Sequence, residues 1–263
     1  MGAVPPTTLE PTVKQLGDRL AEANGLSERI QLIARLVAGR IAFSTSLGIE
    51  DQAILHAIAE GGAAVDIFTL DTGRLFLETI DTLAASERQY GMGIRVLAPS
   101  ASDVETLVVR DGVLGFRHSI DARKACCHVR KVAPLRRGLA GAAAWITGLR
   151  REQSSGRADV PFAAWDREHG LIKLNPLADW SLDRLDAYVA AHGIPLNPLH
   201  GRGFPSVGCQ PCTRAIRPGE DIRAGRWWWE SKDGKECGLH ASPRGLSRSD
   251  KARDASIRKA TAS

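Results

Sequence analysis

The sequence predicts an α/β protein with a doubly wound, mainly parallel sheet and an irregular C-terminal subregion. Three observations support this fold class. Short β-branched runs recur along the chain, and helical patterns lie between them. From about residue 195 the sequence is rich in Gly, Pro, Cys, Arg and Trp and has little periodicity. Because strands that alternate with helices form parallel sheets, we expect ligands to bind at the carboxyl ends of the strands.

Five apolar runs are predicted to be buried strands, since each is bounded by turn residues. They cover residues 40–45, 65–71, 94–99, 143–149 and 171–177. Two helices precede the first strand: Val13, Leu16 and Leu20 have helical spacing, and a second helix is predicted at 27–38. The remaining helices are predicted at 48–60, 74–90, 100–112, 123–139 and 181–193.

The chain is predicted to divide into four segments, of which the second and third form one domain. They are N-terminal helices at 1–39, an α/β domain at 40–194, a C-terminal segment at 195–240 and a disordered basic tail at 241–263. Of the net charge of +5, the tail carries +4. Residues 1–240 therefore do not form a basic surface for nucleic acid, and we expect no nucleic-acid partner.

The sequence also allows an expectation about the cellular compartment of the protein. No run of about 18 apolar residues is present, so no membrane span or membrane partner is expected. The N-terminus lacks a charged region followed by an apolar one, so no secretory signal is predicted. We expect a cytoplasmic protein whose thiols stay reduced. The oligomeric state is left open, a homo-oligomer included.

Two polar turns follow predicted strands and suggest an anion or nucleotide site. The first strand runs into "STSLGIED", where Ser46 and Gly48 precede a helix whose N-terminus would attract an anion. An ordinary capped turn explains this pattern equally well. The second strand ends in "LDTG", with Asp71, Thr72 and Gly73 at the same edge. Two such turns side by side predict a ligand of nucleotide size.

A third loop, "GLRREQSSGR", follows the fourth predicted strand and is rich in arginine. Arg150, Arg151 and Arg157 are candidates for a phosphate or sulfate clamp, because a guanidinium binds such anions through two parallel hydrogen bonds. A solvated loop is the alternative. The sequence does not choose between them.

Four of the five cysteines form two close pairs. Cys126 and Cys127 are adjacent, and Cys209 and Cys212 form a CxxC motif. A cubane iron–sulfur cluster takes one thiolate at each of four irons, and adjacent cysteines reach two different irons more easily than one tetrahedral zinc. Structural zinc and ordinary core cysteines are the alternatives.

The fifth cysteine, Cys237, lies in "KECGLH" beside Lys235 and His240. A thiolate in an electropositive, glycine-flanked segment has the properties of a nucleophile. A stray surface thiol is the alternative.

Taken together, "STSLGIED", "LDTG", the CC and CxxC pairs, "GLRREQS" and "ECGLH" resemble the assimilatory sulfonucleotide reductases over about residues 40–240. The similarity is greatest to the bacterial iron–sulfur branch, the thioredoxin-dependent adenylylsulfate (APS) reductases. The branch that acts on the 3′-phosphorylated substrate (PAPS) generally lacks the four ligand cysteines. The resemblance implies an adenine nucleotide alpha hydrolase-like fold, one 4Fe-4S cluster, and thioredoxin as an external reductant.

The resemblance also implies a role for each motif residue. Cys237 would attack the sulfur of adenylylsulfate, release AMP and carry an S-sulfocysteine, from which thioredoxin would release sulfite. The cluster would be held by Cys126, Cys127, Cys209 and Cys212. The nucleotide would lie along Ser46, Leu70 and Gly148, and its phosphosulfate would face Lys131, Arg223, Arg226 and His240.

Three other functions remain open at this point. PAPS reduction is the nearest, since an additional basic contact near the ribose would suffice for it. An ATP pyrophosphatase or tRNA-thiolating enzyme shares the implied fold, although "STSLGIED" lacks the paired glycines of their SGGxDS loop. A zinc-bound interaction protein is the third.

Overall fold

The computed structural model of the chain describes residues 6–230, apart from the side chains of residues 6–11 and 155. A six-stranded sheet forms its centre. The strands are β1 (Ile41–Thr45), β2 (Asp66–Leu70), β3 (Arg95–Leu97), β4 (Ala144–Ile146), β5 (Ala163–Asp166) and β6 (Leu171–Leu174). The helices are α1 (Pro6–Glu22), α2 (Leu26–Leu36), α3 (Ile49–Gly61), α4 (Leu77–Tyr90), α5 (Ala101–Asp111), α6 (Ile120–Cys127), α7 (Ala133–Leu139) and α8 (Leu182–Ala191).

The strand order is β3-β2-β1-β4-β6-β5, and all neighbours are parallel except β5 and β6. The chain thus leaves β1 in one direction to β2 and β3, then returns to the other side of β1 for β4. This confirms the predicted doubly wound, mainly parallel sheet. The reversal of strand order next to β1 creates the crevice in which such sheets bind ligands.

Two edge strands differ from the sequence prediction. β5 was not predicted, because "AAWD" lacks a β-branched run and none of its residues is fully buried; it is held by antiparallel pairing with β6. β3 was predicted to be buried, but Arg95 and Val96 are exposed at the opposite edge. Arg95 instead pairs with Asp66 on β2.

Helices cover both faces of the sheet. On one face, apolar residues from α1, α2, α3 and α8 form the main core with β1, and Leu20, Ile30, Ile33 and Ile54 are fully enclosed. On the other face, α7 packs against β1, β2 and β4. Each strand in the middle of the sheet is therefore apolar on both sides, as expected for a parallel sheet.

The helix predicted at 123–139 is interrupted. α6 ends at Cys127, and a π-helical turn covers His128–Val132 before α7 begins. Pro134 explains the interruption, since proline has no N–H and its ring clashes with the carbonyl four residues earlier. Within the wider turn, the N–H of Ala133 bonds the carbonyl of His128, five residues back. Such π-turns often occur at functional sites.

Residues 195–230 have little regular structure, in agreement with the predicted irregular subregion. Thr213 and Arg226 form an isolated antiparallel bridge that closes a loop. The bridge brings Trp227 into the interior, where it is 1% exposed. Trp227 has a φ of 42°, in the left-handed region that a non-glycine residue rarely adopts. Within residues 6–230 the structure contains no helix long and apolar enough to cross a membrane.

Candidate active site

A cavity of about 250 Å³ lies at the carboxyl ends of the central strands. Its walls come from the turns after β1, β2 and β4, from the π-helical turn, and from the irregular C-terminal residues. The lining includes Ser46, Asp51, Leu70, Thr72, Lys131, Gly148, Arg157, Ser206, Arg223, Arg226 and Trp227. This is the switch point at which a doubly wound sheet binds its ligand.

The turn after β1 is organised by Asp51 from the first turn of α3. Its carboxylate accepts hydrogen bonds from the N–H and the hydroxyl of Ser46, both at 2.6 Å. The N–H of Leu47 is also used, by the hydroxyl of Thr45 at 3.0 Å. These two amides therefore have partners within the protein. The N-terminal residues of α3, Gly48 and Ile49, also line the cavity.

Gly148, after β4, passes directly over Asp51. A Cβ at this position would lie 2.4 Å from Asp51 Oδ1, so only glycine permits this approach. Burial raises the pKa of Asp51 to about 6, although the two hydrogen bonds from Ser46 act in the opposite direction. The turn is thus built around a buried carboxylate that is costly to ionise.

The arginine-rich loop after β4 has a structural role at its first position. Arg150 is 2% exposed and pairs with Glu50, and it also donates to the carbonyl of Trp180. Its guanidinium is therefore engaged within the protein and is not a free clamp for phosphate. Gln153 donates to Glu50 and to the carbonyl of Gly148, which holds the loop against the cavity. Of this loop, Arg157 also lines the cavity, where it donates to Gln153.

The turn after β2 joins the nucleotide-sized cavity to the cysteines. Gly73 has a φ of 66°, and its N–H donates to the carboxylate of Asp71, which makes a tight turn. The next contacts run toward the CxxC segment: the Thr72 hydroxyl accepts from the Cys209 thiol at 3.3 Å, and its carbonyl accepts from Arg130 at 2.6 Å. Thr72 thereby fixes one thiol relative to the sheet edge.

The four predicted ligand cysteines meet in one place. Cys126 and Cys127 at the end of α6 face Cys209 and Cys212, and all four line a single small cavity with Phe116 and Trp227. None of the four forms a disulfide. Three are buried and Cys126 is partly buried. The sequence separation of 82 residues or more between the two pairs is closed by the packing of the C-terminal subregion on α6.

The spacing of the thiols separates two kinds of metal centre. In a tetrahedral zinc site with Zn–S bonds of about 2.3 Å, the sulfur atoms lie about 3.8 Å apart. Within residues 6–230, no three cysteine sulfurs lie within 4.8 Å of one another. A cluster that takes each thiolate at a different iron needs ligands that stand farther apart around a shared centre. The set of four thiols fits a four-iron cluster, whereas a single zinc ion would require the sulfur atoms to move closer together.

Cations surround the thiols. Arg74, Arg123, Arg130, Lys131 and Arg226 line the same cavity. Burial alone would raise the pKa of Cys209, but Lys131, the hydrogen bond to Thr72 and nearby arginines together lower it. Burial and the neighbouring cysteines raise the pKa of Cys212 to about 12. Nearby positive charge therefore favours the thiolate form of Cys209, whereas burial beside other thiols favours the protonated form of Cys212. Fixed cations around four thiols are suited to an anionic, thiolate-ligated group.

Three residues line both cavities: Lys131, Arg226 and Trp227. Lys131 lies in the π-helical turn, four residues after Cys127. Arg226 is 7% exposed, and its guanidinium donates to the carbonyl of Val207 and the hydroxyl of Ser206. A Cβ on Gly208 would lie 2.3 Å from this guanidinium, so the glycine makes room for it. Positive charge is thereby fixed between the thiols and the larger cavity.

Arg223 reaches the same cavity through a turn. Residues 221–230 are not helical, and the segment consists of turns and the bridge from Arg226 to Thr213. The N–H of Arg226 bonds the carbonyl of Arg223, and this turn directs both residues to the cavity.

The structure therefore brings together six of the predicted substrate contacts: Ser46, Leu70, Lys131, Gly148, Arg223 and Arg226 line one cavity. Cys237 and His240 lie outside the described residues, so their roles stay predictions. Sequence reasoning missed Arg74 and Arg130. Arg130 lies three residues after Cys127, so helical spacing was a usable signal. Arg74 gave no such signal, since only the tertiary structure brings it to the cysteines.

The fold and the paired cavities define an α/β protein with a nucleotide-sized cavity beside a cluster of four thiols. Residues 40–215 match the family model described as phosphoadenosine phosphosulfate reductase domain. The chain is 54% identical over 235 residues to a protein named adenosine 5′-phosphosulfate reductase from Sinorhizobium fredii NGR234, covering 89% of this chain and 93% of that one. A protein of the same name from Allochromatium vinosum is 53% identical over 200 residues, which are 76% of this chain and 78% of the relative.

A solved structure supports the fold. The phosphoadenylyl-sulfate reductase from Candida auris, determined as a phosphate complex, superposes with a TM-score of 0.68 at 22% identity, covering 82% of this chain and all of that one. The chain belongs to the phosphoadenosine phosphosulfate reductase domain family.

Proposed function

We propose that this protein reduces adenosine 5′-phosphosulfate to sulfite and AMP with electrons from thioredoxin, in sulfate assimilation and cysteine biosynthesis. One observation carries the proposal: a cavity lined by four thiols adjoins a nucleotide-sized cavity at the sheet's switch point, and Lys131 and Arg226 line both. The names of its relatives support adenylylsulfate as the substrate. We place the reaction in the cytoplasm, where thiols stay reduced.

Cys126, Cys127, Cys209 and Cys212 would hold one four-iron, four-sulfur cluster. When bound, this cluster supplies a fixed charge distribution beside the substrate rather than electrons, because the thiols of Cys237 and thioredoxin already provide two. The protein's own contribution is to hold Lys131 and Arg226 between the two cavities. Their charges offset the negative charge of the phosphosulfate, which otherwise repels an incoming thiolate.

The proposed reaction has two stages. The Cys237 thiolate forms a bond to the sulfur of adenylylsulfate, the S–O bond to the phosphate breaks, and AMP leaves with that electron pair. A thioredoxin thiolate then attacks the Cys237 sulfur and expels sulfite, and the second thioredoxin thiol resolves the mixed disulfide. Thioredoxin is oxidised by two electrons and the sulfonate is reduced to sulfite. Arg223 and His240 are proposed to bind the phosphosulfate during the first stage.

Reduction of the 3′-phosphorylated nucleotide is the alternative, because the family model carries that name. The ratio of kcat/KM on the two nucleotides decides between them. We expect a large preference for adenylylsulfate, since the four cysteines belong to the branch that uses it. A preference for the 3′-phosphorylated substrate would overturn this assignment.

The mechanism is tested by a single turnover without reductant. Incubation with adenylylsulfate should release one AMP per active site and leave one SO₃ adduct on Cys237, located by peptide mass spectrometry. Added thioredoxin should discharge the adduct as sulfite. Cys237→Ser should bind substrate and keep its iron, yet form no adduct. An adduct on another residue, or sulfite formation by the Ser variant, would contradict the mechanism.

A further inference from the structure

A second cluster of metal-ligating side chains lies at the other end of the molecule. α3 begins at the carboxyl end of β1 and runs back along the sheet, so its last turns lie near the amino ends of the strands. His56 and Glu60 are in these turns, and His192 follows the last residue of α8. None of these residues lines the substrate cavity or the cysteine cavity.

The three side chains have the spacing of a metal site. One ligand atom from each of His56, Glu60 and His192 lies within 4.8 Å of the other two. His56 and Glu60 are four residues apart and therefore project from the same face of α3. Their Nε2 and Oε2 atoms are 4.0 Å apart, and the two imidazole rings are 4.6 Å apart between centroids. Modest side-chain rotation would bring all three onto one ion.

His56 gives an independent indication. Both of its ring nitrogens are inaccessible to water, and neither has a hydrogen-bond partner within residues 6–230. Tyr90 and Tyr188 pack against the ring with centroid distances of 5.9 and 5.7 Å. A ring nitrogen that is shielded from water normally has a hydrogen-bond partner, and a bound ion is one of the recognised explanations when it does not.

The backbone around the cluster favours a cation. α3, α4 and α8 all end here, at Gly61, Tyr90 and Ala191. The C-terminal end of a helix carries partial negative charge from its unpaired carbonyls and stabilises positive charge.

We propose that His56, Glu60 and His192 form a binding site for a divalent transition metal such as Zn²⁺. Two imidazoles and one carboxylate are ligands that zinc prefers, and a water molecule would complete the tetrahedron. The ion would link the ends of α3 and α8, which pack together in the main core. This proposal does not depend on the proposed function, because the site shares no residue with either cavity of the candidate active site.

The experiment uses anaerobically prepared holoenzyme with its cysteines occupied. Zinc is titrated against a chromophoric competitor, and the bound ion is examined by X-ray absorption at the zinc edge. We expect one zinc per chain with ligands only at about 2.0–2.2 Å, the distance of nitrogen and oxygen donors. Glu60→Gln and His192→Asn alter exposed residues and should each weaken zinc binding by about tenfold or more, with the iron content unchanged.

His118→Asn is the matched control, since His118 is an exposed histidine outside the cluster. This variant should bind zinc with the same affinity as the parent protein. Ligands at about 2.3 Å would mean that thiols bind the zinc and would overturn the proposal. Equal affinity in the Glu60 and His192 variants would overturn it as well. Absence of binding at micromolar zinc would overturn the proposal too.

Discussion

The buried carboxylate of Asp51 should make the stability of this protein depend on pH in a predictable direction. Asp51 is enclosed below the turn after β1, and burial raises its pKa from 3.8 to about 6. Because the folded state holds the proton more tightly than the unfolded state, stability falls as pH rises from about 4 to about 6 and is then constant. Asp51→Asn is neutral at every pH and should not show this loss.

The magnitude follows from the two pKa values. A difference of about 2.2 units corresponds to about 3 kcal/mol of destabilisation once Asp51 is fully ionised. The linkage relation gives about 1.6 kcal/mol of this already at pH 5, so about 1.4 kcal/mol develops between pH 5 and pH 8. For a chain of this size, that energy shifts the unfolding midpoint by about 3–6 °C.

The assay compares Tm of the parent and of Asp51→Asn in steps between pH 5 and pH 8. Any constant difference from altered hydrogen bonds to Ser46 cancels, because only the change with pH is used. We expect the variant to gain about 3–6 °C relative to the parent over this range. Asp81→Asn, at an exposed site on α4, is the control and should follow the parent. A gap that stays constant, or narrows toward pH 8, would refute the reasoning.

Two further predictions concern the C-terminal subregion. Arg226→Ala should weaken adenylylsulfate binding by about 1.5–3 kcal/mol, because it removes charged hydrogen-bond donors. Calorimetry in a Cys237→Ser background, which prevents turnover, should show this as an increase in Kd of about 10- to 150-fold. Unchanged affinity would place the phosphosulfate elsewhere. Glu230→Ala should lower Tm more than the double replacement Arg123→Met/Glu230→Leu, because it leaves one charge of a buried 2.7 Å ion pair uncompensated. A double variant that is less stable than the single one would contradict this.

The sheet and its helices could be predicted because their signals are local. The run 40–45 contains the consecutive apolar residues Ile41, Ala42 and Phe43, as expected of a central parallel strand, and β1 covers five of these six residues. The helical spacing of Val13, Leu16 and Leu20 likewise predicted the buried face of α1. β5 could not be found in this way, since it has no apolar run and exists only through its pairing with β6.

The cysteine cluster was also predictable, for a chemical reason. Adjacent Cys126 and Cys127 and the CxxC pair have few uses in one reduced chain, so residue type alone limited the interpretations. Among the cations around them, Arg74 was not predictable, because only the tertiary structure brings it to the cysteines. The close approach of Gly148 to Asp51 was not predictable either. A Cβ on Gly148 would lie 2.4 Å from Asp51 Oδ1, and the two residues are neighbours only because two loops meet.

Residue types at short spacing were sufficient to predict the order of the strands other than β5, the order of the helices, the set of thiols and the family. The tertiary structure alone decided that Arg150 is tied to Glu50, that the Ser46 amide is used by Asp51, and that Lys131 and Arg226 stand between the two cavities. The physical reason is that charge and hydrogen-bond partners are shared across long sequence separations. The cations that line the cavity are brought there only when the carboxyl ends of the strands and the C-terminal residues pack together.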